Sequence, residues 1–321
     1  MQLFHRRNFY WLAFIVAGYL VLQGLISAGI INAFHQIALV TILFNIIFAV
    51  GLNLVIGIAG QFSLGHAGFI AIGAYSAAIY TTKVQGGYTG LLIGMLIGIV
   101  LSMLLALIIG IPTLRLRGDY LAIATLGVSE IIRVIINNMR DLTNGPAGIS
   151  GIPIITDWRL AYIFLVLTTI LILNYTYSSS GRATFAINQN EIAAQAMGVN
   201  ITRYKVTAFV LGAITASIGG SLQATFLGIV TPGEYTFNRS IDVLIIVVFG
   251  GIGSFTGSFI AATVLGILNL MLQDYGQLRM VIYAVALVLI MIFRPSGLLG
   301  TKELRFGQWM DRLLRRHKEV G

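Results

Sequence analysis

A chain of 321 residues that is 57% hydrophobic and only 10% charged, with a mean hydropathy of +0.91, is not composed like a soluble domain, in which about a quarter of residues carry charge. Cysteine is absent, which excludes disulfides, thiolate metal sites and cysteine nucleophiles, and the four histidines (His5, His35, His66, His317) are too scattered to pair as metal ligands. The net charge of +9 does not mark nucleic acid, because the basic residues gather in connecting segments and at the chain ends, as they do when charge sets membrane orientation.

A span needs roughly 20 apolar residues. Such runs cover 9–27, 35–58, 64–82, 88–111, 119–139, 160–178, 206–229, 255–273 and 278–293, and a further stretch at 240–251 is too brief to cross as an ordinary helix. The first run continues past any plausible signal cleavage point. These runs predict an all-α polytopic membrane protein of about ten membrane segments, including broken or half-spanning helices. Placing Arg6 and Arg7 in the cytoplasm puts Arg115, Arg117, Arg182, Arg203, Lys205, Arg294 and the basic C-terminal cluster on the same side. Both termini are therefore predicted to be cytoplasmic. The chain divides into a membrane domain at 1–305, containing one large cytoplasmic loop at 179–205, and a tail at 306–321. In that tail Phe306, Trp309, Met310, Leu313 and Leu314 recur at helical spacing among arginines, the pattern of an amphipathic helix on the inner leaflet.

Two places read as broken helices. Gly57 to Gly68 is dense in glycine and carries Gln61, Ser63 and His66; Gly250 to Ser258 carries Gly253, Ser254, Thr256 and Ser258. Each follows an apolar run and leads into a helix of small residues, a weak internal repeat. Irregular backbone survives in lipid only inside protein or along a cavity. Gln61, Ser63, His66, Gly253 and Ser254 are accordingly candidates for a central path or its gates, whereas most of the glycines serve close helix packing. Asn45 and Asn53, eight residues apart on one helix face, are candidate interhelical hydrogen-bonders. Glu130 and Arg133 are spaced to pair with each other. Asp119 is explained by its neighbours Arg115 and Arg117, and Asp242 is placed at the opening of the short segment.

In the cytoplasmic loop, Asn190 can cap a short helix beginning at Glu191, and Gly198 stands where a glycine would end it. Ala193, Ala194, Ala196 and Met197 leave that helix nearly bare on one side, suited either to docking in a groove or to packing as a connector. The loops at 140–157 and 230–239 fall on the opposite side, with turns at Asn144-Gly145-Pro146 and Thr231-Pro232-Gly233-Glu234. No Gly-x-x-x-x-Gly-Lys-Ser/Thr loop occurs, and no nucleophile–base constellation appears, so the chain is not expected to be an enzyme or to hydrolyse ATP itself.

Six blocks in order, over essentially the whole length, carry a resemblance. They are Gly51–Gly57 running into Gly60–Gly68; Gly118–Gly127 with Glu130–Arg133; Leu142–Gly148; Gly181-Arg182 through Glu191–Asn200; Gly250–Ser254; and Phe293–Gly300. The chain resembles LivM-type permeases of branched-chain amino-acid ABC importers of the bacterial inner membrane. The resemblance implies a permease subunit that pairs with a second, homologous permease. Two ABC ATPase subunits would hold ATP and Mg below, and a periplasmic or lipid-anchored substrate-binding protein would deliver substrate above. It also makes 179–205 a coupling loop, with Arg182, Glu191, Ala193, Ala194 and Gly198 facing the ATPase. The placement of the loops at 140–157 and 230–239 on the opposite side predicts that Asn144 and Glu234 contact the binding protein, a plain solvated loop being the equal alternative. The chain itself is expected to need no cofactor or metal, to meet membrane lipid and to bind no nucleic acid. The general importer pattern would set its acid at Ile192, whereas Glu191 lies one step earlier, about 100° round a helix. A relative of the family carries urea and short amides, so these stand as alternative substrates. An ion-coupled secondary transporter is a further alternative, opposed by the scarcity of membrane-embedded acids.

Overall fold

In a computed structural model of the chain, the described residues are 2–29, 31–113 and 118–272, followed by 281, 285, 288, 292 and 297–300. Twelve helices succeed one another among them: α1 (Gln2–Ser27), α2 (Ala33–Asn53), α3 (His66–Lys83), α4 (Gly87–Thr113), α5 (Asp119–Asn138), α6 (Arg140–Thr143), α7 (Trp158–Tyr177), α8 (Ser179–Gln189), α9 (Glu191–Ala196), α10 (Ile201–Leu227), α11 (Phe237–Gly250) and α12 (Phe255–Met271). A π-helical turn at Leu54–Ile58 extends α2. The described β structure is one two-residue ladder, β1 (Ile149–Ser150) antiparallel to β2 (Ile229–Val230), with Ile149 opposite Val230.

The all-α class is as expected. Among the described residues, five runs are long and apolar enough to cross a membrane: Ala33–Ile58, Gly87–Thr113, Tyr120–Asn138, Trp158–Tyr177 and Ile201–Leu227. The pair α11–α12, bent by 118°, makes a sixth if it is one broken span. These are five or six of the about ten segments expected, counted among the described residues, where Ile15–Ser27 is a shorter apolar helix. Helix α3 has polar ends (His66, Thr81, Thr82, Lys83) and lies mostly enclosed by other helices. The short apolar stretch and its successor turn back on each other. The expected span at 278–293 and the tail at 306–321 lie outside the described residues, apart from Val281, Val285, Val288 and Ile292, all four exposed.

Local signals explain where helices begin. Asp157, Ser178, Asn190, Asn200 and Ser254 each accept a hydrogen bond from the third backbone N–H beyond them, capping α7, α8, α9, α10 and α12. Tertiary packing rests on small residues. Helices α3, α4 and α10 form the centre, where Gly73 lies against the backbone of Ser217 and Gly220 against that of Ile70. Ser221 Oγ donates to the Gly73 carbonyl at 2.9 Å, sealing the contact. With lipid outside, helices gain nothing by hiding apolar groups from one another, so close backbone approach and such hydrogen bonds hold them together. The outer faces confirm the setting: α4 turns Leu92, Leu96, Val100, Leu104 and Ile108 outward, an apolar stripe that only lipid or another membrane subunit can cover.

Candidate functional site

The two sequence breaks are real and meet each other. After the π turn at Leu54–Ile58 the chain runs irregularly through 59–65 before α3 begins. Single π turns inside α-helices are frequent at functional sites. Helix α11 stops at Gly250, and α12 restarts at Phe255 after three non-helical residues and the capping Ser254. Gly57 sits so close to the second break that a Cβ there would collide with the Gly253 nitrogen and with Asn53 Oδ1. No residue larger than glycine fits.

Asn53 fastens the breaks together. Its Nδ2 donates to the Ser254 carbonyl at 2.8 Å and to Ser258 Oγ at 2.9 Å, while its Oδ1 accepts the Gly253 N–H at 2.8 Å. The expectation that Asn45 and Asn53 hydrogen-bond between helices holds for both, since Asn45 Oδ1 accepts from Arg239 on α11 at 3.3 Å. The same guanidinium lies over the Phe48 ring, 5.2 Å from its centroid.

The free N–H groups at the start of α3 find partners on other helices. Leu64 N–H donates to Thr125 Oγ1 on α5, and Ala67 N–H donates to Ser240 Oγ on α11, both at 3.0 Å. The first break is thus walled by α5, α11 and α12, as irregular backbone at membrane depth requires. Sequence reasoning missed Thr125 and Ser240. The signal was the need for donors' partners, but their identity depends on which helices are neighbours.

Gln61 and Ser63 lie in this break, His66 opens α3 directly after it, and all three are buried. Gln61 is 1% and His66 3% exposed, and neither end of the Gln61 amide nor His66 Nε2 has a partner among the described residues. Ser63 Oγ, also buried, accepts from Gly65 N–H at 3.4 Å. The outward surface of the break is made instead by Phe62. Gly253 and Ser254 line the second break, where Ser254 caps α12 through Gly257 N–H at 3.0 Å. Asp242 does not open its helix: α11 begins at Phe237, leaving Asp242 in the second turn.

The loop after α7 is more structured than a single capped helix. It forms two helices, α8 and α9, stacked on α10. Asn190 caps α9, with Oδ1 accepting from Ala193 N–H at 3.0 Å, and Gly198 takes the left-handed φ of 81° that ends it. Ala194 faces inward at 6% exposure, so it is not on the free side of α9 as its small size suggested. Ala193 is exposed, but the prominent outward groups are Ile192 at 76% and Met197 at 84%. Glu191 forms an ion pair with Lys205 at 3.1 Å, which gives the acid a partner within the chain. Arg182 reaches the Tyr177 carbonyl at 3.1 Å and remains exposed.

Among the loops at the other end, Asn144 adopts a left-handed φ of 61°, and its Nδ2 donates to the Gly148 carbonyl at 3.0 Å, shaping its own loop. Glu234 is exposed. Partial burial nonetheless raises its carboxyl pKa, opposed by the charge of Arg239. Glu130 and Arg133 pair at 2.7 Å as their spacing required. Among the described residues there is no group of three or more His, Asp or Glu able to hold a metal.

Comparison with known proteins follows the same lines. Residues 34–293 match the family described as branched-chain amino acid transport system / permease component. The high-affinity branched-chain amino acid transport system permease protein LivM of Salmonella typhimurium is 36% identical over 298 residues, covering 82% of this chain and 69% of the relative. LivM of Escherichia coli is 36% identical over 309 residues, covering 86% and 71%. The permease protein LivH of Escherichia coli is 30% identical over 149 residues, covering 46% of this chain and 47% of its own length. No solved structure matches. With both helix breaks and the α8–α9 loop inside the matched region, the chain belongs to the permease-component family of branched-chain amino-acid transport systems.

Proposed function

We propose that this chain is the membrane-embedded permease of an ATP-driven importer of branched-chain amino acids, supplying half of the translocation path and drawing its energy from a cytoplasmic ATPase. The observation that carries this reading is the α8–α9 module. It is folded, capped and anchored to the bundle, yet it presents Ile192 and Met197 to the outside at the end where both helix breaks lie. A transporter that made its own energy contact would have no use for such knobs, whereas a motor protein's groove would take them. Ile192 and Met197 join Arg182 and Ala193 as the coupling surface; buried Ala194 and the Glu191–Lys205 pair support it, and Gly198 ends its helix.

The two breaks form the gate of this half-path in our reading. Gln61, Ser63, His66, Gly253 and Ser254 build its framework, and Phe62 is the surface it offers to the partner half. Relatives named LivM and LivH, both permease proteins of a high-affinity branched-chain system, support a second, related permease as that partner. Charge placement supports cytoplasmic termini and a cytoplasmic α8–α9, and the family supports a bacterial inner membrane. The ladder-joined loops then face the periplasm, where Glu234 is available to a binding protein.

Reconstitution tests the proposal. The permease pair with its ATPases should hydrolyse ATP faster when substrate-loaded binding protein is added, and should accumulate a branched-chain amino acid only with ATP. Accumulation by this chain driven by an ion gradient in the absence of ATP would overturn it.

A further inference from the structure

Gly57 is where three parts of the chain meet, and only two of them are breaks. A helix leaves its last carbonyls without intrahelical donors. Along the π turn the Ala59 N–H returns to the Leu54 carbonyl and the Gln61 N–H to that of Val55. The Gly57 carbonyl is taken instead by Asn188, on the last turn of α8, whose Nδ2 donates to it at 2.9 Å across 131 residues of sequence. The same side chain fills the space over Gly60: a Cβ there would collide with Asn188 Oδ1 and stand 3.4 Å from Asn188 Cβ. On its other side Gly57 abuts Gly253 and Asn53, which hold the second break.

We propose that Asn188 is the positioning residue that carries movement of the α8–α9 module into the paired breaks, acting as a strut on the Gly57 carbonyl; this rests on the reading of α8–α9 as the ATPase-facing module. The position suits the task. Asn188 lies two residues before Asn190, the cap of α9, so a push on α9 is delivered at the adjoining end of α8. A shift of the Gly57 carbonyl cannot be absorbed locally, because its Cα already touches the second break. The two breaks therefore move as one body when α8 moves.

Two variants test it in the full complex with ATPases and binding protein in proteoliposomes. Asn188→Ala removes the strut while favouring the helix. It should leave assembly and binding-protein-stimulated ATP hydrolysis intact but lower substrate moved per ATP about fivefold, the change expected from losing one hydrogen bond of ordinary net strength. The chain has no native cysteine, so Gly60→Cys combined with Asn188→Cys gives a clean cross-link, the 3.4 Å between the two Cβ positions lying just below the usual disulfide range of about 3.5–4.5 Å. Reduced, this pair should be uncoupled like Asn188→Ala; oxidised, it should regain wild-type substrate per ATP. Wild-type stoichiometry in Asn188→Ala, or arrest of transport on oxidation of the pair, would overturn the strut. If the left-handed backbone at Gly60 prevents the double variant from assembling, Asn188→Ala decides alone. The underlying reading fails separately, if Ile192→Glu with Met197→Glu still binds the ATPase normally.

Discussion

Replacing Asn53 with alanine removes the fastening between the two breaks, and its cost can be worked from the structure. Three hydrogen bonds of 2.8, 2.9 and 2.8 Å are lost at a fully buried side chain. Two of the partners are partly compensated. The Ser254 carbonyl still receives the Ser258 N–H at 3.1 Å, and the Ser258 hydroxyl still donates to that carbonyl at 3.2 Å. The Gly253 N–H loses its acceptor. At about 1 kcal/mol for each net bond, with the orphaned donor at the low end of its penalty, the loss is about 3 kcal/mol. That is more than a hundredfold, on the order of 100–200, in the ratio of folded to unfolded protein. Chemical denaturation of the purified subunit in mild detergent measures it. Ser258→Ala, which removes only one of the three bonds, should cost about 1 kcal/mol by the same scale. If Asn53→Ala cost no more than Ser258→Ala, the view of Asn53 as the common clasp would be refuted.

Other outcomes follow from the same geometry. Gly57→Ala drives a methyl into the Gly253 backbone, a strain of about 1–3 kcal/mol for overpacking; transport should fall at least about tenfold while the protein still inserts, as measured by uptake and membrane yield. Ile192→Glu with Met197→Glu should abolish co-purification of the ATPase without changing thermal stability. Asn190→Ala removes the α9 cap at a cost of about 1 kcal/mol, and limited proteolysis should cut near residues 190–198 sooner. Glu191→Gln breaks a partly buried ion pair with Lys205 worth about 1 kcal/mol, so transport should stay within a few-fold of wild type. A large loss there would restore a direct role for the acid in docking.

Local chemistry was readable from the sequence wherever partners are a few residues apart. Asn190 and Gly198 bound α9 as their residue types require, Glu130 and Arg133 pair, and the glycine clusters break the helices at both expected places. What was not legible depends on distant contacts. Ala194 is buried where α9 packs against α8 and α10, and a short alanine-rich helix carries no periodic signal to say which side is covered. The bond from Asn188 spans 131 residues, and the residue looks like an ordinary polar surface position until α8 is laid against the π turn. Gln61 and Ser63 fall in a break and His66 at the helix start that follows it, but polarity alone does not tell whether such a group faces a passage or the inside of its own chain. The opening of α11 was set too late because Phe237–Ser240 reads as part of a polar loop, while in the fold Arg239 and Ser240 are held by Asn45 and Ala67.

The short ladder between β1 and β2 has a consequence for the outer face of the molecule. Beyond its two residue pairs, Ile152 N–H donates to the Gly228 carbonyl at 3.1 Å, Ile155 N–H donates to that of Thr225 at 3.0 Å, and Lys83 Nζ reaches the Asp141 carbonyl at 2.7 Å. Segments some eighty positions apart are thereby riveted into one plate. Any protein that docked there would meet a composite footprint in which neither loop has an independent shape. Grafting one loop from a relative without its counterpart would deliver the right side chains on the wrong relief.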